Sequence, residues 1–292
     1  MVVSARSRAG RDEARLALDR FERQENFPVA LRVLPARYRR DLRALYAFAR
    51  TVDELGDSAA GDRTVQLQEL DAELSRIWTG GAVTDPVLAG LAITVRAHDL
   101  PAKPFHDLVA ANLMDQTVNR YETFEELRGY CRLSADPVGR LVLGVFDQAS
   151  DALTLALSDR VCTALQLLEH WQDVGEDRRA GRIYLPQEDL RRHGVPETDL
   201  DAASASPALR ALVREEVEQA AELLESGAGI VDRVQGWARP CVAGFVAGGR
   251  ATAAALRRTD GDVLARSARA SRPGTAARLV VLLGRSLVGR PR

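Results

Sequence analysis

PARYRRDLRALYAFARTVDEL, residues 35–55, places apolar side chains at the three- and four-residue steps of an α-helix. Comparable apolar stripes recur along the chain, in residues 67–77, 108–118, 152–174, 209–224 and 242–256. Long runs of alternating polar and apolar residues, which are typical of strands, are absent. Proline and glycine break the periodic segments instead. The pattern predicts a single all-α domain of about ten helices.

The composition excludes several classes of protein. The chain has 292 residues, with 40 Lys and Arg against 41 Asp and Glu, so its formal net charge is −1. This balance argues against a nucleic-acid-binding protein that works through bulk positive charge. Three scattered cysteines exclude a disulfide framework and favour a reducing cytosol. Because no segment has the ~20 uninterrupted apolar residues that span a bilayer, we expect a cytoplasmic protein whose membrane contact is at most peripheral, at the inner face.

Two acidic motifs share one spacing. Asp53 and Asp57 lie four residues apart, as do Asp173 and Asp177, and each pair follows an apolar helical segment. Residues four apart share one face of a helix, where two like charges are destabilising unless a cation is nearby. Carboxylates suit Mg²⁺, which proteins commonly share with substrate phosphates. The alternative is that each pair is a solvated helix surface, but the repeated spacing favours a metal site.

Basic residues follow the second acidic motif, at Arg178, Arg179 and Arg182. Such side chains bind the outer oxygens of a metal-bound diphosphate. Arginines at a helix C-terminus are favourable in any protein, so charge alone leaves both interpretations open.

The four histidines have no short metal-ligand spacing, and we expect surface or helix-end positions for them: His98, His106, His170 and His193. Of these, His170 abuts the second motif.

The two motifs and their flanks resemble the aspartate-rich motifs of the squalene/phytoene synthase family. The first is contained in YAFARTVDELGD, residues 46–57, and the second in QDVGEDRRAGRIYLPQEDL, residues 172–190. The likeness extends from about Glu25 to Val195. A single D-x-x-x-D is weak evidence. The two motifs together are specific evidence for the family, because Arg50 precedes the first motif and G-R-x-Y-L-P follows the second.

The resemblance implies an isoprenoid-synthase helical bundle that encloses a central apolar cavity, with Mg²⁺ held between the two motifs. The metal ligands implied are Asp53, Asp57, Asp173 and Asp177. The residues implied to meet the diphosphate are Arg50, Arg178 and Arg182. Those implied to line the reacting end are Tyr46, Tyr130 and Gln166. Glu169 stands where the family commonly has Asn, and it would either bind the metal as a harder ligand or form a salt bridge.

Three stretches resemble the hydroxysqualene synthase branch of the family, which belongs to bacterial hopanoid pathways: ENFPV at 25–29, YCRLSADPVGRL at 130–141 and WQD at 171–173. The resemblance implies that presqualene diphosphate and water are converted to hydroxysqualene and diphosphate. The alternatives are a phytoene, dehydrosqualene or squalene-type synthase that joins two prenyl diphosphates, and a non-catalytic assembly or scaffold protein. The missing glycine-rich dinucleotide fingerprint argues against a reductive squalene synthase. The four retained carboxylates argue against a scaffold.

The chain divides into a predicted prenyl-diphosphate-synthase-like domain, residues 1–272, and a basic, partly apolar tail, residues 273–292. From Arg266 onward there are seven arginines and no acidic residue, with an apolar run at 279–283. Three interpretations stay open: an interfacial helix on anionic lipid, a closing helix of the bundle, or a frayed terminus. The first predicts peripheral membrane contact through the tail.

Overall fold

The computed structural model describes residues 34–149 and 151–265, and these are helical almost throughout. The helices are α1 (Ala36–Asp57), α2 (Arg63–Thr79), α3 (Pro86–His98), α4 (Lys103–Met114), α5 (Phe124–Ser134), α6 (Asp136–Val145), α7 (Ala152–Gln172), α8 (Val174–Arg179), α9 (Gln187–Arg192), a 3₁₀-helix (Glu197–Asp201), α10 (Pro207–Gly227), α11 (Ile230–Arg233) and α12 (Ala238–Arg258). These ranges hold no strand, only an isolated parallel bridge between Arg120 and Ile183. The predicted all-α class is confirmed. The described residues contain twelve α-helices, more than the ten expected, because α8, α9 and α11 are too short to show a hydrophobic period.

Polar caps explain where several helices begin. A side-chain oxygen accepts a hydrogen bond from a backbone N–H of the first turn at Asp62, Asp85, Thr123, Asp151 and Ser206. In α3 and α10 a proline follows the cap, where its fixed φ suits the first helical position. Each cap contributes ~1 kcal/mol. These starts are therefore encoded locally in the sequence.

Helix α7 lies at the centre of the bundle. It spans roughly 30 Å and packs against α6, α10 and α12. One hydrophobic core includes α1 to α4, α6, α11 and the first part of α12, and a second includes α5, the C-terminal part of α7, residues 183–221 and the end of α12. The first acidic motif ends α1 in one core, and the second follows α7 in the other. The two motifs are thus carried by helices whose apolar faces belong to different cores.

The described residues contain no helix that is both long and apolar enough to cross a membrane. The basic tail at 273–292 lies outside the described residues, as do ENFPV at 25–29 and the boundary after residue 272. The expectations placed there stay predictions.

Candidate active site

The first acidic motif is backed by the end of α4. A Cβ atom added to Gly56 would lie 2.2 Å from Oδ1 of Asn112, so a larger residue here would displace the Asn112 amide from its position against α1. Asn112 donates a hydrogen bond from Nδ2 to Oδ1 of Asp53 at 3.3 Å. Gln116 donates from Nε2 to the carbonyl of Gly56 at 3.1 Å. The glycine inside DELGD therefore leaves room for the Asn112 amide, which orients the exposed carboxylate of Asp53.

The second acidic motif lies at a break between two helices. Helix α7 ends at Gln172, and Asp173 has φ −105° and ψ 15°. Its carbonyl accepts the backbone N–H groups of Glu176 and Asp177, both at 2.8 Å. The four-residue spacing predicted one helical face for both aspartates. Instead, Asp173 joins α7 to α8, and Asp177 belongs to the short second helix.

Arg182 connects the second motif to the first. Its Nη1 and Nη2 atoms donate hydrogen bonds to Oδ1 of Asp57, each at 2.9 Å. Its backbone N–H donates to the carbonyl of Asp177 at 2.9 Å. The motifs, 116 residues or more apart in sequence (173 − 57), are thus brought together as the sequence analysis expected.

The loop that carries Arg182 is held by residues 119–121. The N–H of Ile183 donates to the carbonyl of Asn119 at 3.0 Å, and that of Gln187 to the carbonyl of Tyr121 at 2.9 Å. Arg120 donates from Nη1 to the carbonyl of Gly181 at 2.8 Å. Hydrogen bonds on both sides therefore fix the main chain at Arg182, and Asp57 holds its guanidinium.

Asp115 is a site residue that the sequence analysis missed. Tyr130 donates its hydroxyl hydrogen to Oδ2 of Asp115 at 2.7 Å. The other oxygen, Oδ1, is buried and has no hydrogen-bond partner within the described residues. Burial raises the pKa of Asp115 to about 6, with smaller contributions from the charges of Asp57 and Asp53, although Tyr130 and Arg182 oppose the rise. The charges of the first motif and of Arg182 therefore act on this carboxyl group.

Four aromatic rings, including that of Tyr130, form a cluster next to the Tyr130–Asp115 hydrogen bond. The ring of His170 stacks on that of Tyr184 with centroids 3.7 Å apart, and the Tyr130 ring lies 5.7 Å from Tyr184. Tyr121 completes the group, at 5.6 Å from Tyr130. All four rings are buried, and Tyr184 stacks with both His170 and Tyr121. The cluster therefore packs around Tyr130 and fixes its position beside Asp115.

His170 lies at a helix end, as expected, but it is buried rather than exposed. Burial lowers the pKa of His170 to about 3, and the charge of Arg182 acts in the same direction, so the imidazole is neutral. Its Nε2 lies 3.2 Å from Nε2 of Gln166. In a neutral ring Nε2 can accept a hydrogen from the Gln166 amide, which places the ring proton on Nδ1. The histidine thus orients Gln166.

Asp177 is half-buried near the same cluster. Burial raises its pKa to about 7, and the charge of Asp173 adds to the rise while Arg182 opposes it. A carboxyl group whose pKa is raised by burial and by like charges gains most from a bound cation. The electrostatics of the second motif therefore favour a metal ion or another positive group.

An apolar cavity of about 160 Å³ lies beside this cluster. Its walls come from the junction of α5 and α6, from α7 and from α12. Gln166 and the exposed Glu169 lie on its rim, so this end forms the mouth. The mouth adjoins the aromatic cluster because Gln166 contacts His170. The predicted apolar cavity is present, with reactive polar groups at one end.

Of the remaining predicted residues, Tyr46 and Arg50 lie on the helix of the first motif, whereas Arg178 is bound elsewhere. Tyr46 and Arg50 precede Asp53 on one face of α1, and the Tyr46 hydroxyl is buried. Arg50 donates from Nε to Glu54 at 3.2 Å. Arg178 donates to both oxygens of Asp201 at 2.8 Å and to Glu197 at 3.2 Å. It is thus engaged by the 3₁₀-helix, and the structure brings Arg182, not Arg178, to the first motif.

Comparisons with known proteins agree with this geometry. Residues 22–274 match the sequence profile described as squalene/phytoene synthase. A hydroxysqualene synthase from Zymomonas mobilis is 34% identical over 230 residues, which cover 78% of this chain and 76% of that protein. Other relatives are named hydroxysqualene synthase, at 34–36% identity, or phytoene synthase, at 30–35%.

Two solved structures share the fold. A squalene synthase, HpnC, from Alicyclobacillus acidocaldarius is 37% identical, with 86% of this chain and 95% of that chain covered and a TM-score of 0.77. A dehydrosqualene synthase in complex with a ligand is 25% identical, with coverage of 94% and 96% and a TM-score of 0.83. These similarities confirm the prediction that the chain folds as an isoprenoid-synthase helical bundle.

Proposed function

This chain belongs to the squalene/phytoene synthase family, and on that basis we propose that it is a Mg²⁺-dependent hydroxysqualene synthase. The substrates would be presqualene diphosphate and water, and the products hydroxysqualene and diphosphate. Relatives that carry this name, at 34–36% identity over most of the chain, support the choice of product.

One observation carries the proposal: the two acidic motifs approach each other, through Arg182, beside the mouth of an apolar cavity. A prenyl diphosphate has a highly charged end and a long hydrocarbon end. The motifs and Arg182 suit the charged end, and the cavity suits the hydrocarbon end. The lining of this cavity is mostly apolar, and its polar residues include Gln166 and Glu169, which lie on α7 ahead of the second motif.

The donor set fits Mg²⁺ only if the substrate shares the ion. Among the described residues, no three His, Cys, Asp or Glu side chains lie close enough to hold a metal by themselves. Mg²⁺ usually takes one or two carboxylates and completes its octahedron with waters and substrate phosphates. Asp53 and Asp57 on one side, and Asp173 and Asp177 on the other, would each supply such a partial site, with Glu169 near the rim. When bound, the metal would neutralise charge that develops on the leaving diphosphate.

The chain's own residues supply the other requirements. Arg182 is positioned to bind phosphate oxygens beside Asp57, and charge-assisted hydrogen bonds from guanidinium groups suit phosphates. The Tyr130 hydroxyl is fixed by Asp115 next to the reacting end. The mostly apolar cavity would exclude bulk water from the developing cation.

The second candidate is a synthase that condenses two prenyl diphosphates head-to-head. Relatives named phytoene synthase and the solved squalene and dehydrosqualene synthases favour it. A non-catalytic scaffold has less support, because all four motif carboxylates are retained. The two enzymatic candidates differ in the substrate they consume and in the presence of oxygen in the product.

The test is to supply presqualene diphosphate with Mg²⁺ in ¹⁸O-labelled water, with and without NADPH, and to identify the product by mass spectrometry. We expect hydroxysqualene that carries solvent oxygen, formed at a rate indifferent to NADPH. Squalene formed only with NADPH, or a product without the label, would contradict the assignment. Turnover of farnesyl or geranylgeranyl diphosphate alone to a hydrocarbon would favour the second candidate.

A further inference from the structure

One carboxylate oxygen of the first acidic motif already holds a cation. Arg182 donates from Nη1 and from Nη2 to Oδ1 of Asp57, each at 2.9 Å, and so engages both lone pairs of that oxygen. Mg²⁺ binds carboxylate oxygens at about 2.0–2.1 Å. Whichever oxygen of Asp57 it took, the dication would lie next to the guanidinium, and like charges repel. Arg182 and Mg²⁺ therefore compete for Asp57.

The ion pair between Arg182 and Asp57 is easily exchanged. The side chain of Asp57 is 52% exposed and that of Arg182 is 23% exposed. Water and salt screen a pair in this position, so it contributes little to the stability of the fold. A stronger partner can thus replace either member without unfolding the surrounding helices.

The loop keeps the guanidinium at the site when the pair opens. The N–H of Arg182 donates to the carbonyl of Asp177 at 2.9 Å, and the N–H of Ile183 donates to that of Asn119 at 3.0 Å. Because these hydrogen bonds fix the main chain, only the side chain has to turn. Its positive charge also acts on the carboxyl groups of Asp115 and Asp177. A diphosphate bound between the two motifs would therefore meet this charge.

A diphosphate is a stronger partner for Arg182 than Asp57 is. It carries more negative charge than one carboxylate, and guanidinium groups bind phosphate oxygens through paired, charge-assisted hydrogen bonds. We propose that Arg182 couples metal binding to diphosphate binding: its guanidinium occupies Asp57 until a diphosphate attracts it away, and Asp57 then binds Mg²⁺. This inference rests on the proposed function, and it involves an exchange of ionic partners without a covalent step. By linkage, each ligand raises the affinity of the protein for the other.

The experiment measures metal binding in the absence of any phosphate compound. A residue that only aligned the two motifs would weaken metal binding when replaced, whereas a residue that competes with the metal would strengthen it. Mn²⁺ is titrated into wild type, Arg182→Gln and Arg182→Lys, and bound Mn²⁺ is followed by electron paramagnetic resonance. We expect Arg182→Gln to bind Mn²⁺ roughly 3- to 10-fold more tightly than wild type, with a difference that shrinks at high salt.

Two further measurements complete the comparison. Arg182→Lys keeps the positive charge, so its affinity for Mn²⁺ should stay within about threefold of wild type. Inorganic pyrophosphate, titrated by calorimetry at a fixed free Mg²⁺ concentration, should bind Arg182→Gln roughly 10-fold or more weakly than wild type, because a charge-assisted contact is lost. Since the ion pair is exposed, the Tm of both variants should stay close to that of wild type.

Two controls locate the effect at Asp57. Arg257→Gln removes an equal charge from an exposed pair with Glu218 and should leave both affinities within about twofold of wild type. In Asp57→Asn the acceptor loses its charge, so adding Arg182→Gln to this variant should no longer strengthen Mn²⁺ binding. Equal or weaker Mn²⁺ binding by Arg182→Gln, or the same gain in the Asp57→Asn background, would overturn the inference while the proposed function stands. If wild type bound neither Mn²⁺ nor pyrophosphate, alone or together, the proposed function itself would fail.

Discussion

Arg182 bonds to Asp57 through its side chain and to Asp177 through its backbone. Both terminal nitrogens lie 2.9 Å from Oδ1 of Asp57, and the N–H lies 2.9 Å from the Asp177 carbonyl. One residue therefore sets the relative position of the two acidic motifs. The same guanidinium would face a diphosphate bound between them. Under the proposed function, diphosphate binding and the alignment of the motifs would both involve this one residue.

Arg182→Gln should lower kcat/KM for the diphosphate substrate by roughly 10- to 100-fold, because a hydrogen bond to a charged group contributes ~1.5–3 kcal/mol. Arg178→Gln is the matched control, since it removes an equal charge whose partners are Asp201 and Glu197. We expect it to lower the Tm and to change kcat/KM by less than about threefold. Steady-state kinetics and thermal unfolding of both variants provide the measurement. Equal kinetic losses would contradict the assignment of Arg182.

The carboxylates of the two motifs should be needed together. Asp53→Asn and Asp173→Asn each remove a charge and keep the side-chain shape, so helicity should be unchanged while turnover falls roughly 100-fold or more. Rates measured against Mg²⁺ concentration, with circular dichroism beside them, test this. Glu218→Gln, which alters an exposed pair with Arg257 on α10 and α12, is the control. Near-normal turnover of Asp173→Asn at limiting Mg²⁺ would rule out a metal shared by both motifs.

Asp115 is expected to act by positioning Tyr130. Asp115→Ala removes the acceptor 2.7 Å from the Tyr130 hydroxyl, and kcat should fall roughly 10-fold or more with little change in KM. Asp115→Asn keeps an acceptor oxygen and should restore much of the rate. Because the two side chains act as a unit, the Tyr130→Phe, Asp115→Ala double variant should be no slower than the slower single variant. Additive losses in this cycle would show that Asp115 acts independently of Tyr130.

The sequence predicts the α-helical class and the two motifs because both signals are local. The period in residues 35–55 and the caps at Asp62 and Asp85 need no knowledge of the rest of the chain. The break at Asp173 was not predicted, because a four-residue spacing fits equally well with a continuous helix and with a turn that keeps the two residues close.

Asp115 was missed for a different reason. Its role arises from the hydrogen bond with Tyr130, 15 residues away, and from the charges of Arg182 and Asp57, which lie on other elements and act on the pKa of Asp115. A local signal did exist: Asn112, Asp115 and Gln116 place polar groups at helical spacing in the last turn of α4 and the residues directly after it. Similarly, charge alone could not separate Arg182 from Arg178, since the partners of each come from distant segments.

Glu216 should make stability depend on pH. It is buried beside Asp189, and burial, with the hydrogen bond and charge of Asp189, raises the pKa of Glu216 to about 8 from an ordinary value of 4.5. A group whose pKa is higher in the folded state stabilises the fold below its unfolded pKa, and this contribution is lost as the pH rises through the folded pKa. Tm should therefore fall between about pH 5 and pH 9.

In Glu216→Gln the amide can still hydrogen-bond to Asp189 but does not ionise, so the decline in Tm should be smaller. Across that pH range, we expect the loss of folding free energy to be larger in wild type than in Glu216→Gln by at least ~1 kcal/mol, which corresponds to roughly 2–4 °C in Tm. Thermal unfolding at closely spaced pH values measures it. Parallel curves for wild type and variant would show that the Asp189–Glu216 pair keeps its proton to high pH or loses it at no cost.

Two helical glycines should respond oppositely to alanine. A Cβ atom on Gly139 of α6 would lie 2.4 Å from Oγ of Ser158 and 2.5 Å from Sγ of Cys162, across the cavity wall, whereas one on Gly129 of α5 would have no heavy atom within 4 Å. Gly139→Ala should therefore cost ~1–3 kcal/mol through overpacking and slow turnover by narrowing the chamber. Gly129→Ala should stabilise the protein by ~0.5–1 kcal/mol, because alanine is the better helix former. Denaturant unfolding of both variants measures the two effects. If Gly139→Ala were as stable as Gly129→Ala, α6 and α7 would have to move apart without penalty, and the close packing at this wall of the cavity would not constrain the substrate.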